Sequence, residues 1–233
     1  MLTPEAVASK SDTVHTLIIG TNRGIGLELA RGAKERGQKV YATCRKPSDE
    51  LKALGVTRLI EGVDITKDED IEHLDGSLEG VKLDRLIINA GILKRTSLED
   101  PAFDAVRRQF EVNAMGPLRV AAGIRHRLKD GGKLAILTSR MGSIADNGSG
   151  GSYGYRMSKA AVNAAGMSLA RDLEDRQIAV ALLHPGYVKT DMTGHSGHVT
   201  PEEAAGMLLD RVDDLAMEHT GVFWHANGEE LPW

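Results

Sequence analysis

Short apolar runs alternate with amphipathic segments along almost the whole chain of 233 residues. Seven apolar runs are predicted to form strands, at residues 16–20, 39–44, 58–63, 83–89, 133–138, 178–184 and 221–225. Five segments with helical periodicity are predicted between or after them, at residues 25–36, 68–78, 104–128, 152–175 and 201–215. Several of the strand runs are continuously apolar, which is typical of parallel strands covered on both faces.

Strand–helix alternation of this kind predicts right-handed βαβ units. The expected fold class is therefore α/β: a single-domain Rossmann-type, doubly wound parallel sheet of about seven strands with helices on both faces. One domain is expected over residues 1–233, with a flexible N-terminal extension over residues 1–12. The last helix begins with a capping pattern, Thr200, Pro201 and Glu203.

Composition and charge narrow the class of protein. The chain carries 29 Lys and Arg against 33 Asp and Glu, a net charge of −4, which argues against sequence-independent nucleic-acid binding. Its one cysteine, Cys44, cannot form an internal disulfide and indicates a reducing compartment. No apolar run is long enough for a membrane span, and no secretory signal is visible. We expect a cytoplasmic protein without nucleic-acid or membrane partners.

Glycines at positions 20, 24 and 26 follow the first predicted strand and open the first predicted helix. Glycine is needed where the chain turns sharply and its backbone approaches a pyrophosphate at a helix N-terminus. A tightly packed turn without a ligand is the alternative interpretation. The position of the motif favours dinucleotide binding.

The end of the second predicted strand indicates which dinucleotide. NAD-selective sites place a carboxylate about 20 residues after the glycines, but residues 43–46 contain none. Arg45, together with Arg23, would clamp a 2′-phosphate, which predicts NADP(H). The alternative is that both are ordinary solvated charges. Asp64 would accept from the adenine amino group, and Asn89 with the small residues after it would let the chain pass close to the cofactor.

Tyr155 and Lys159 fall one turn apart on a predicted helix. A free tyrosine ionises near pH ~10, and a lysine ammonium with an oxidised nicotinamide would lower its pKa for proton transfer. Ser139, at the end of the fifth predicted strand, would hold a substrate carbonyl. Tyr-x-x-x-Lys occurs often by chance, so the pattern alone is weak evidence.

Taken together, these motifs resemble the short-chain dehydrogenase/reductase family over about residues 14–228, and more narrowly its carbonyl-reductase-like and C-factor-like members. The motifs occur in family order: Gly20-x-x-x-Gly24-x-Gly26, Asn89-Ala90-Gly91, Asn113, Ser139, Tyr155-x-x-x-Lys159 and Pro185-Gly186. The resemblance implies that Tyr155 is the acid/base, that Lys159 tunes it and holds the nicotinamide ribose, that Ser139 polarises the carbonyl, and that Asn113 carries a relay water. It also implies a homodimer or homotetramer.

The cofactor residues implied by motif and resemblance are Gly20, Asn22, Arg23, Gly24, Ile25, Gly26, Arg45, Asp64, Ile65, Asn89, Ala90, Gly91, Tyr155, Lys159, Pro185, Gly186, Val188 and Thr190. Two features depart from the family pattern. The glycine turn lacks the threonine that more often precedes its first glycine, and the stretch from Ser139 to Tyr155 is lengthened around residues 147–152. That insertion is either a surface loop or part of the substrate site.

Two further features of the sequence, Pro117 and the pair His195 and His198, carry physical arguments. Pro117 has no N–H to donate to the Asn113 carbonyl, so a kink should leave that carbonyl free for a water, unless the kink is merely tolerated. His195 and His198 lack a third ligand nearby and are expected to line a lid, so no metal site is expected.

The leading hypothesis is an NADP(H)-dependent oxidoreductase that interconverts a small-molecule carbonyl and an alcohol by hydride transfer. The alternative is a dinucleotide-binding signalling or sensor protein of the same fold with little turnover. The presence of Asn113, Ser139, Tyr155 and Lys159 together favours the enzyme.

Overall fold

The computed structural model describes residues 13–233, so the extension expected at residues 1–12 lies outside it. One sheet runs through the described chain. Its strands are β1 (His15–Ile19), β2 (Lys39–Thr43), β3 (Arg58–Ile60), β4 (Leu83–Ile88), β5 (Leu128–Leu137), β6 (Ala179–His184) and β7 (Val222–His225). Their order is β3-β2-β1-β4-β5-β6-β7, and every neighbouring pair is parallel. The predicted doubly wound sheet is confirmed.

Within residues 13–233, seven α-helices accompany the sheet. They are α1 (Gly24–Glu35), α2 (Asp49–Ala53), α3 (Asp68–Ser77), α4 (Phe103–Phe110), α5 (Gly116–Ile124), α6 (Tyr153–Asp172) and α7 (Pro201–Asp214). Leu17 belongs to the buried cluster on the side of α3, α5 and α6, whereas Ile18 belongs to the cluster on the side of α1 and α7. Successive strand residues face opposite sides, so a sheet buried on both faces needs the continuous apolar runs seen in the sequence.

The capping pattern predicted for the last helix is confirmed at α7. The Thr200 side chain accepts from the Glu203 amide at 3.2 Å, and the Glu203 carboxylate accepts from the Thr200 amide at 2.8 Å. Pro201 occupies the first helical position, where its missing N–H leaves no hydrogen bond unmade.

The helical stretch predicted over residues 104–128 is present but is not one regular α-helix, and it ends one residue earlier. The chain passes from α4 through a π-helical turn at Glu111–Met115 into α5, and β5 already begins at Leu128. The Gly116 amide donates to the carbonyl of Glu111, five residues back, immediately before Pro117, which cannot donate at all. The start of β5 was missed because its Asp-Gly-Gly stretch, exposed at Asp130 and Gly131, carries no apolar signal.

Helix α2 was not predicted either. Ser48 caps it by accepting from the Leu51 amide at 3.2 Å, and Asp49 and Glu50 occupy its first turn. Ser-Asp-Glu is itself a helix-start signal, but one turn is too short to show periodicity. Across residues 13–233, no helix combines the length and the hydropathy needed to cross a bilayer.

Candidate active site

A cleft of about 560 Å³ opens at the carboxyl ends of the strands, where the chain order reverses on either side of β1. Open α/β sheets bind ligands at such a switch point. Among the predicted cofactor residues, those lining the cleft are Gly20, Asn22, Arg23, Gly24, Ile25, Arg45, Asp64, Ile65, Asn89, Ala90, Gly91 and Thr190.

The glycine turn forms the floor of this cleft. Gly20 has φ +85°, and a Cβ there would lie 3.0 Å from the Cα of Ala90. A Cβ on Gly26 would lie 2.0 Å from the Gly20 carbonyl oxygen, so Gly26 acts by allowing close packing and does not line the cleft. Asn89 holds the turn in place, because its side-chain amide donates to that same carbonyl at 2.7 Å.

Helix α1 begins at this turn with its backbone N–H groups available. Its N-cap, Arg23, makes no side-chain hydrogen bond to the helix start, and its first turn contains no acidic residue. A helix N-terminus in this state favours an anion. The cradle of glycines and amide donors therefore fits the pyrophosphate of a dinucleotide.

Seven charged residues line the cleft, among them Asp64 and Lys189. We call the other five, which come from different parts of the chain, the charged rim: Arg23, Arg45, Glu50, Arg108 and Asp191. Arg23 pairs with Asp191, in the loop after β6, at 2.6 Å. Arg45, the other half of the predicted clamp, lies at the end of β2. Residues 43–46 contain no carboxylate, but Glu50 and Asp191 from other segments line the same cleft as the two arginines.

Arg108 was also missed by the sequence analysis. It lies 3.9 Å from Asp64, and Val112, one helical turn further on, lines the cleft as well. This spacing of four residues is the signal that could have found it. Burial alone would raise the pKa of Asp64, but hydrogen bonds from Thr66 and the charges of Arg108 and Arg45 outweigh it. The pKa of Asp64 therefore lies below its usual value.

We call four buried residues the candidate catalytic group: Asn113, Ser139, Tyr155 and Lys159. They lie beside the cleft. Ser139, Tyr155 and Lys159 are 7%, 8% and 4% exposed. The Lys159 ammonium donates to the Leu137 carbonyl at 2.9 Å and lies 5.8 Å from the centre of the Tyr155 ring. The Ser139 hydroxyl lies close enough to the Tyr155 side chain to lower the pKa of the phenol.

Asn113 is fully buried in the π-helical turn and ties three segments together. Its side-chain amide donates to the Ile92 carbonyl at 2.9 Å and to the Ser158 hydroxyl at 3.0 Å, and its oxygen accepts from the Ile92 amide at 2.8 Å. A Cβ on Gly91 would lie 3.4 Å from that oxygen and 3.6 Å from the Lys159 ammonium. The cleft therefore meets the candidate catalytic group at Gly91.

Burial dominates the protonation of this group. It raises the pKa of Tyr155, and the nearby Ser139 hydroxyl offsets only part of the rise. Burial also lowers the pKa of Lys159 to about 8. The lowering expected from the lysine together with an oxidised nicotinamide stays a prediction, because in the chain alone burial sets the opposite direction. The phenol is instead kept protonated at neutral pH, which is the form that can donate a proton to a carbonyl oxygen.

Pro185, Gly186 and Val188 follow β6 but do not line the cleft. Gly186 has φ +91°, and Val188 is buried where its strand segment pairs with Val199. His184, just before them, packs edge-on against the ring of His225 at 4.9 Å. Burial lowers the pKa of His184 to about 3, so this histidine is neutral.

The loop inserted before Tyr155 is largely exposed over residues 147–150. It is held in place at Ser152, whose amide donates to the Thr96 carbonyl at 2.8 Å.

His195, 73% exposed, lies 3.1 Å from Asp191. Among residues 13–233, no cluster of three or more histidine, cysteine or acidic side chains could hold a metal ion.

The fold, the cleft and the candidate catalytic group define a dinucleotide-binding oxidoreductase architecture. The family model for short chain dehydrogenase matches residues 14–199, and this chain belongs to that family. It groups with the members that resemble carbonyl reductases and the C-factor, as the sequence analysis expected.

Three known proteins show how close the similarity is. The chain is 41% identical over 223 residues to 1-hydroxy-2-glutathionyl-2-methyl-3-butene dehydrogenase of Rhodococcus sp. (strain AD45), covering 93% of this chain and 98% of that protein. It is 42% identical over 154 residues to the C-signal of Myxococcus xanthus, covering 65% and 93%. It superposes on a carbonyl reductase from Pseudomonas aeruginosa in complex with NADP with a TM-score of 0.81 at 34% identity, covering 95% and 100%.

Proposed function

We propose that this protein is an NADP(H)-dependent oxidoreductase that interconverts a small-molecule carbonyl and an alcohol. The observation that carries the proposal is the burial of Ser139, Tyr155 and Lys159 near one another, at the Gly91 end of a cleft whose glycine turn fits a dinucleotide. The NADP complex of the similar Pseudomonas aeruginosa carbonyl reductase supports the choice of cofactor. When bound, the cofactor supplies the hydride for the carbonyl carbon.

The residues of the chain would divide the rest of the work. Arg45 holds the 2′-phosphate, and the amide groups at the start of α1 hold the pyrophosphate. Ser139 donates to the carbonyl oxygen, and Tyr155, kept protonated by burial, gives its proton to that oxygen. Lys159 holds a positive charge beside the phenol as it loses the proton.

Asn113 would serve this chemistry in two ways. Its side chain fixes the segment after Asn89-Ala90-Gly91 against α6 through Ile92 and Ser158. Its backbone carbonyl receives no hydrogen bond from Pro117, which has no N–H, and is proposed to hold the water that resupplies the proton. We also propose that the protein is cytoplasmic and acts as a homodimer or homotetramer, as the family resemblance implies.

Consumption of NADPH against a panel of aldehydes, ketones and quinones tests the proposal. Because one similar protein is a dehydrogenase of a glutathionyl alcohol, the panel should also offer glutathione-conjugated alcohols with NADP⁺. We expect turnover of at least one substrate and stronger binding of NADPH than of NADH. Tight NADPH binding with no turnover on the panel would favour the alternative, a signalling or sensor protein. The similarity to the C-signal is the reason for retaining this alternative.

A further inference from the structure

The segment of residues 229–233 folds back along β7 at the edge of the sheet. The Glu229 carbonyl accepts from the His225 amide at 2.8 Å, and the Leu231 amide donates to the Phe223 carbonyl at 2.8 Å. Phe223 is one of the most deeply buried side chains, so this anchorage is firm. We call residues 229–233 the tail segment.

Both ends of the tail segment contact the turn that follows Ser139. At one end, the Arg140 guanidinium lies 2.9 Å from each carboxylate oxygen of Glu229. At the other end, the Trp233 carbonyl accepts from the Ala145 amide at 2.9 Å and from the Ser143 hydroxyl at 3.2 Å. The tail segment therefore bridges the edge of the sheet and this turn.

The turn in turn fixes the position of Ser139. The Ser139 hydroxyl accepts from the Met141 amide at 3.1 Å. Gly142 is packed so tightly on α6 that a Cβ there would lie 2.8 Å from the carbonyl carbon of Lys159. A shift of the turn would therefore move the serine hydroxyl relative to Tyr155, whose pKa that hydroxyl influences.

We propose that Arg140 and Glu229 are positioning residues, which hold Ser139 against Tyr155 by fastening the turn to the tail segment. The proposal rests on the proposed carbonyl–alcohol chemistry, in which Ser139 polarises the carbonyl. Asp146 also pairs with the Arg140 guanidinium, but at the longer distance of 3.3 Å. Glu229 is therefore the main anchor of the guanidinium.

The ion pair is half-exposed, with 41% and 54% of the two side chains accessible. Such a pair contributes little to stability, whereas a small displacement of a reacting group lowers the rate strongly. A positioning role should therefore change turnover while thermal stability stays nearly constant. A purely structural role would change stability or nothing.

Glu229→Gln removes the charge and keeps the size of the side chain. We expect kcat to fall more than about threefold, with NADPH affinity and the melting temperature unchanged. Arg140→Gln should do the same, Arg140→Lys should recover part of the loss, and the double variant should be no worse than either single one. Asp210→Asn is the matched control, because Asp210 pairs with Arg36 at 2.7 Å at similar exposure, 31% and 59%, far from the site.

Hydrogen exchange of the Met141 and Ala145 amides gives a readout that does not depend on activity. We expect both amides to exchange faster in Glu229→Gln and to remain unchanged in Asp210→Asn. The proposal is overturned if exchange at these amides is unaltered, or if kcat changes less than threefold. If the wild-type protein reduces no carbonyl, the proposed function fails separately, and the exchange result alone decides whether the tail segment holds the turn.

Discussion

The charged rim and the candidate catalytic group lie at the same edge of the sheet but differ in how they are held. Arg23, Arg108 and Asp191 have 75%, 49% and 52% of their side chains accessible. By contrast, Asn113 is fully buried and Lys159 is only 4% exposed. Exposed charges are screened by solvent and salt, whereas buried groups depend on every neighbour. Substitutions in the candidate catalytic group should therefore abolish turnover, whereas substitutions in the charged rim should change the cofactor preference by degrees.

The largest difference between the two regions should appear at Tyr155. Tyr155→Phe removes one hydroxyl and keeps the ring packing, so turnover should fall by ~10²–10⁴ while NADPH affinity and unfolding stay close to wild type. Tyr41→Phe is the matched control, because Tyr41 is equally buried but its hydroxyl faces His15 on a distant part of the sheet. Steady-state kinetics on a substrate from the panel gives the answer. Retention of more than about a tenth of the turnover would remove Tyr155 as the acid.

At the charged rim the expected effect is smaller and concerns binding. Arg45→Ala should weaken NADPH binding by about ten- to a hundredfold and leave NADH binding unchanged, since one charge-assisted contact is worth ~1.5–3 kcal/mol. The effect should shrink as salt is added. Fluorescence titration with both cofactors measures it, with Arg107→Ala as control, because Arg107 is exposed beside Arg108 and pairs with Asp104. An unchanged preference for NADPH would exclude the clamp.

Lys159 allows the buried region to be tested through stability. Its pKa of about 8 in the folded chain lies below the unfolded value of 10.5. The buried charge therefore lowers the free energy of unfolding, and this penalty is complete below about pH 8. The penalty disappears as pH rises from about 8 to 10.5. Lys159→Met should therefore raise the free energy of unfolding by about 1–2 kcal/mol at pH 7, after allowing for the lost bond to Leu137. Denaturant titrations at neutral and alkaline pH should show the gain vanishing in alkali, and a pH-independent difference would contradict this origin.

The smallest expected effect is at Pro117. Pro117→Ala restores an amide that can donate to the Asn113 carbonyl and so compete with the proposed relay water. Turnover should fall about threefold, while the free energy of unfolding is unchanged or slightly higher, as helix propensity predicts. Comparison of pH–rate profiles between about pH 6 and 9 is the measurement. Wild-type rates across that range would show that the π-helical turn does not serve the relay.

The sequence predicted the two regions unequally well. The buried region was found because apolar runs and short motifs such as Tyr155-x-x-x-Lys159 lie within single elements, whose period is readable. The rim was found only in part, because Glu50, Arg108 and Asp191 reach the cleft from three separate segments. Of these three residues, only Arg108 had a local signal, its spacing of four residues from Val112. Contacts between distant segments otherwise leave no local pattern in the sequence.

The errors in the fold have a similar cause. Helical periodicity continues across residues 104–128, and the π-helical turn changes only which carbonyl each amide reaches, five residues back instead of four. The direction of the Tyr155 pKa was also beyond the sequence, because it depends on how deeply the phenol is buried. A sequence motif can predict which residues lie beside Tyr155, but it cannot predict how deeply the phenol is buried.

Transfer of deuterium from NADPH labelled at C4 of the nicotinamide tests the central claim most directly. We predict that the alcohol formed by the wild-type protein carries one deuterium on the former carbonyl carbon, from one of the two C4 isotopomers. Its hydroxyl proton should come from solvent, through Tyr155. An alcohol with no deuterium from either isotopomer would contradict the account, since the hydrogen on that carbon would then have another source.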